Sequence, residues 1–140
     1  MGRTESYVVS LLKRLLGPCE RGKRYPWARG DASPRSGRSA TLPFDAVWEQ
    51  RKLIVEIDEE QHREPTPLFD RRSTVSGVSR GEQRRIYDAR KRAAAAAHGY
   101  HILALEWSRR RRPHPDDVDD VRARLVAAGI VNLLEDSTRA

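Results

Sequence analysis

Residues 42–62, LPFDAVWEQRKLIVEIDEEQH, hold two runs in which apolar and polar side chains alternate. A period of two is the mark of a half-buried strand. The polar point midway between the runs, Gln50–Arg51, predicts the two-residue tip of an antiparallel hairpin with strands over 42–49 and 52–58. Pairing about that tip sets Trp48 opposite Leu53, Val47 opposite Ile54 and Asp45 opposite Glu56. Directly opposed side chains lie about 5 Å apart, where two like charges repel unless something offsets them. Asp58 falls diagonally on the same face, so three carboxylates converge beside Val47 and Ile54. Protonation, ion pairs to arginine or lysine on a solvated sheet face, or a divalent cation each relieve such a cluster. An all-oxygen donor set suits magnesium or manganese.

The rest of the chain supplies the layers around this hairpin. Apolar residues recur three and four apart from Tyr7 to Leu16, which predicts an amphipathic helix from Thr4, as its cap, to a stop at Gly17–Pro18. Residues 17–41 are rich in Gly, Pro, Ser and Arg and read as a basic loop with room for one short strand near Tyr25 to Trp27. A second basic loop is expected over 63–81. The segment EQRRIYDARKRAAAAAHG predicts a helix closed by Gly99, and YHILALEW a mostly buried strand. A last helix is expected over 115–128, with proline in its first turn and Val118, Val121, Leu125 and Ala128 on one face. The order α-β-β-α-β-α, with that extra short strand, describes an α/β chain whose mixed sheet is flanked by helices.

Length and charge bound the function. With 140 residues the expectation is a single domain spanning 1–140, and with 27 basic against 20 acidic residues a polyanionic partner, nucleic acid first. The lone cysteine, Cys19, excludes an internal disulfide and a cysteine-based zinc site, and suits a cytoplasmic setting. No run of about eighteen apolar residues occurs, so no membrane association is expected. His98, His101 and His114 share no ligand spacing, and Trp27 and Trp48 read as core.

Chemistry gathers around the acids. His62 follows the second strand closely enough to act as a base, and Asp88 and Lys91 share one helix face. Acid, cation site, base and lysine together describe phosphodiester hydrolysis, in which a metal polarises the phosphate and a side-chain cation meets the developing charge.

The helix bearing Glu5, the strands PFDAV and LIVEIDEEQH, and the later RRIYDARKRAAAAAHGYHILAL together resemble the very-short-patch-repair branch of the PD-(D/E)XK nuclease superfamily, near its homing-endonuclease-like members. The resemblance covers most of residues 4–107. It implies a restriction-endonuclease-like core and a Mg2+- or Mn2+-dependent endonuclease acting on DNA. It also implies roles: Asp45, Glu56 and Asp58 at the metal, His62 as base, Glu5 organising the metal site, Asp88 and Lys91 near the scissile phosphate. The usual Glu-x-Lys is here Glu56-Ile57-Asp58, so Lys91 takes over the positive charge, and Glu59 stands where relatives carry glycine. Arg71, Arg72, Arg84, Arg109 and Arg110 are expected DNA contacts, a homodimer is left open, and the alternative is a non-catalytic nucleic-acid-binding module whose acids are ion-paired.

Overall fold

The computed structural model of the chain describes residues 2–59 and 80–130. In chain order the elements are α1 (Arg3–Leu16), β1 (Glu20–Lys23), β2 (Phe44–Trp48), β3 (Leu53–Glu59), α2 (Arg80–Ala97), β4 (His101–Trp107) and α3 (Asp117–Ala127). The strands form one sheet in the order β1-β2-β3-β4. β1, β2 and β3 pair antiparallel, and β3 pairs parallel with β4. Parallel neighbours need a crossover, and α2 lies on it. The protein is therefore α/β, a mixed sheet flanked by helices, as the sequence pattern implies.

Both faces of the sheet are covered. On one, Val8 and Leu12 of α1 and Val121 and Leu125 of α3 pack on Leu53, Val55, Leu105 and Trp107. On the other, Ala95 of α2 and Tyr100 pack with Phe44, Val47 and Ile54, joined by the partly buried Tyr25 and Trp27. Leu53, Ile54 and Val55 are all fully buried for this reason, where a one-sided strand would alternate. Each large side chain so buried contributes about 1.5–3 kcal/mol.

The hairpin keeps its expected register, with Trp48 opposite Leu53 and Val47 opposite Ile54. Its tip is wider than two residues: Glu49–Arg51 form a 3-10 turn, and Lys52, at φ 51°, closes it in the left-handed region. Other boundaries move. Gly2, not Thr4, is the N-cap of α1, and Thr4 lies inside the helix. The extra strand sits at Glu20–Lys23 instead of Tyr25–Trp27, because those aromatic rings stack on each other, 4.5 Å apart, and pack against the second cluster. The last helix starts after Asp116, its N-cap, so Pro115 precedes it, and Ala128 caps its end. β4 is half-exposed rather than mostly buried, since it is an edge strand of the sheet. Of the expected loop at 63–81, residues 63–79 lie outside the described ones, and Arg80 and Gly81 already belong to α2.

Candidate functional site

The last paired residues of β2 and β3 are Ala46 and Val55. One step further, Asp45 and Glu56 bond through their side chains instead. Glu56 Oε2 accepts the Asp45 N–H at 2.8 Å, and Asp45 Oδ2 accepts the Ile57 N–H at 2.8 Å. Each carboxylate thus satisfies a backbone donor of the other's strand segment, which fixes both side chains at the end of the paired ladder.

A third acid arrives from α1, where Glu5 sits in the first turn. Arg21 of β1 holds it, donating from Nη2 to Glu5 Oε2 at 2.6 Å and from Nε to the Asp45 carbonyl at 3.2 Å. The electrostatics record the crowding. Burial, and then the Glu56 carboxylate beside it, push the Asp45 carboxyl up to about 6, although the Ile57 N–H and Lys91 pull the other way. Burial and the charge of Asp45 likewise raise Glu5, against the pull of Arg21. Two neighbouring acids held above their ordinary range mark a place short of positive charge.

Lys91 of α2 supplies part of that charge by pairing with Glu56 Oε1, its ammonium lying 4.9 Å from the centre of the Phe44 ring. The three acids and Lys91 line a cavity of about 310 Å³ together with Asp58, Asp88, Arg84 and Arg92. A second hollow, of about 370 Å³, shares Asp45, Arg84, Asp88 and Lys91 with the first and continues along α2 past Tyr87 to Arg80, with Leu42 and Pro43 opposite. The result is a groove with acids at its floor and cations along one helix.

A hard divalent cation fits the donor chemistry: carboxylate oxygens, no His or Cys lining the cavity among the described residues, and an Asp45 charge that burial penalises. Asp45 and Glu56 are the residues that would hold it, with Glu5 alongside. Among the described residues, though, no three His, Cys, Asp or Glu side chains are already arranged as metal ligands. The physical reason is visible in the bonds: Glu56 is engaged by Lys91 and a backbone N–H, and Glu5 by Arg21.

The structure therefore brings together Glu5, Asp45, Glu56 and Lys91, and sets Asp58, Asp88 and Arg84 around the same cavity. Arg109 pairs with Glu59 at 3.0 Å, so the acid at the expected glycine position has a local partner. Arg110 is exposed next to it. His62, Arg71 and Arg72 lie outside the described residues. Arg21 is the residue that sequence reasoning misses. Its strand, ERGK, is short and has no apolar side chain to announce it, and only the pairing of Arg21 with Ala46 shows what it reaches.

No family model matches the chain, and neither a curated protein nor a solved structure matches it significantly. Its function has to be argued from its own residues.

Proposed function

We propose that the protein is a divalent-metal-dependent endonuclease of the PD-(D/E)XK kind, hydrolysing phosphodiester bonds in DNA with Mg2+ or Mn2+. The observation that carries this reading is Asp45: a largely buried carboxylate pushed up to about 6 between two further acids, with a lysine at hand and a groove leading in. A site that merely bound phosphate would gain nothing from three acids in its floor.

The residues divide the work. A cation held at Asp45 and Glu56 would polarise the phosphate and make water more acidic. Glu5, oriented by Arg21, adds negative charge on the flank of Asp45 and favours a cation over a proton there. Lys91 sits within reach of the same floor and can transfer its ammonium from Glu56 to a phosphate oxygen, meeting charge that grows in the transition state. Arg84 and Arg92 line the cavity as cations that attract the substrate's backbone. His62, just beyond the end of β3, is the expected base.

One observation favours a second reading. The ion pairs Lys91–Glu56 and Arg21–Glu5 already neutralise two of the acids, as a non-catalytic nucleic-acid-binding module would have them. Incubating supercoiled plasmid with the protein in magnesium, manganese or chelator separates the two. The nuclease reading expects nicked or linear product only with a metal. The binding module expects a shifted but intact plasmid in all three.

A further inference from the structure

The stretch between β1 and β2 contains an ordered arm that the acid site does not explain. Arg29 and Thr41 form an antiparallel bridge, and the two sides are tied further by Gly30 N–H to Ala40 O at 3.0 Å, Leu42 N–H to Ala28 O at 2.7 Å and Arg29 Nη1 to Ser39 O at 2.8 Å. Nearer the tip, Ser33 N–H meets Arg38 O at 2.7 Å and Gly37 N–H meets Ser33 O at 2.8 Å, with Gly37 at φ 70°. Ordering so much backbone costs entropy, and the tip buries nothing to offset it: Pro34, Arg35, Ser36, Gly37 and Arg38 are all exposed.

The root of the arm is fastened to α2. Tyr87 Oη accepts the Asp31 N–H at 2.8 Å, and Arg90 donates to Asp31 Oδ1 at 2.9 Å and to the Arg29 carbonyl at 3.1 Å. Gly30 is needed at this joint, because a Cβ there would lie 2.9 Å from the Tyr87 ring. The joint has two consequences. It spends Asp31, the arm's one acid, on Arg90, so the arm beyond it carries no negative charge. It also places the arm's root next to the groove, whose walls are Leu42 and Pro43 on one side and Tyr87 on the other. At the tip, among the described residues, neither Arg35 nor Arg38 has an ion-pair or hydrogen-bond partner for its guanidinium.

We infer that the arm over 29–41 is a preorganised clamp on the sugar-phosphate backbone of a nucleic acid, gripping it with Arg35 and Arg38 away from the acid site. The inference rests on the reading of the chain as a nucleic-acid enzyme and extends its contact surface. Holding two guanidiniums on a stiff, anchored ribbon lowers the ordering cost of binding. An anionic lipid surface is a poorer fit, because the tip offers Ala32, Pro34, serines and Gly37 and no large apolar side chain to insert.

The test is duplex-DNA binding in chelator, where no cleavage can occur, followed over a range of salt. Arg35→Glu/Arg38→Glu is compared with wild type and with Arg14→Glu/Arg122→Glu, a control of equal charge change on exposed positions of α1 and α3. The clamp expects the arm variant to bind about tenfold or more weakly and to lose about two units of the salt slope, since each phosphate contact contributes about 0.9. The control should lose far less. Equal losses in both variants overturn the clamp in favour of net charge alone, and so does an unchanged arm variant. Binding to anionic vesicles with none to DNA overturns it in favour of a membrane contact. A wild-type protein that binds DNA through the arm yet never cleaves with metal sinks the nuclease reading and leaves the clamp standing.

Discussion

Asp117 and Asp45 are both shielded carboxylates beside basic side chains, yet their surroundings are opposite. Asp117, 1% exposed, accepts from Tyr7 Oη at 2.6 Å, Arg111 Nη2 at 2.6 Å and the His114 N–H at 2.9 Å. Burial pushes its carboxyl up, and these hydrogen bonds outweigh burial and hold it below its ordinary value. Arg111 in turn lies 3.9 Å over the Trp107 ring, so the acid knots α1, α3 and the end of β4 together. Asp45 has one backbone donor and two other acids for company, and the balance tips upward. Where a buried acid serves the fold, the chain satisfies it. At the floor of the groove the chain gives Asp45 a single backbone donor and crowds it with two further acids, as the proposed cation site would require.

The largest effect should come from the satisfied acid. Asp117→Ala strands the Tyr7 hydroxyl and the His114 N–H and leaves Arg111 with Asp120 alone, and breaking so buried an acid's network costs on the order of 3 kcal/mol. Urea denaturation should show this as a lower midpoint, with wild-type stability arguing that the knot does not hold the layers. The pH dependence has a fixed sign: a depressed carboxyl stabilises above its unfolded pKa, and that contribution is lost as pH falls through the folded value.

Asp45→Asn should move stability the other way. Its carboxyl rises from 3.8 to about 6 on folding, a penalty on the order of 3 kcal/mol once the group ionises. The native protein holds that proton more tightly than the unfolded chain, so the stabilising contribution is whole below about pH 4 and gone above about pH 6. Melting in chelator should therefore find Asp45→Asn more stable than wild type at pH 7, with the gain shrinking towards pH 4. A variant less stable than wild type at pH 7 would place Asp45 among the acids that serve the fold.

A smaller and sharper effect concerns Arg21. Removing its hold on Glu5 loosens a residue beside the proposed cation site without removing either of the ligands proposed there, a change that in metal sites costs about 10–100-fold in affinity. Arg21→Ala should weaken Mn2+ binding, measured by calorimetry, while Arg21→Lys restores part of it and Asp117 remains untouched. Equal Mn2+ affinity in wild type and Arg21→Ala would remove Arg21 from the site.

How much of this the sequence discloses depends on the range of the interaction. The hairpin register follows from its own alternation, so Asp45 and Glu56 meet as expected, while helical spacing puts Lys91 on one face with Asp88 and only the tertiary packing brings it to Glu56. Glu5 reached the site through a resemblance and not through periodicity. Arg21 escaped because ERGK carries no strand pattern and pairs only because β2 is there to receive it. The role of Asp117 was hidden for a different reason: its partner Tyr7 is 110 residues away, and in the sequence the aspartate looks like one more acid at a helix start. Arg109, an expected DNA contact, pairs with Glu59, and its neighbour Arg111 with Asp117 and Asp120, because the acids they meet lie far off in sequence or on the next helix.

The most direct test is cleavage of supercoiled plasmid by wild type and by Asp45→Asn, side by side with Mg2+ and Mn2+, after both are shown to be folded and to bind DNA. Wild type should produce nicked or linear DNA that chelator abolishes, and the variant, though at least as stable, should leave the plasmid intact. Cleavage by a folded Asp45→Asn protein at the wild-type rate, or no metal-dependent cleavage by wild type, would contradict the assignment of the acid cluster as a nuclease centre.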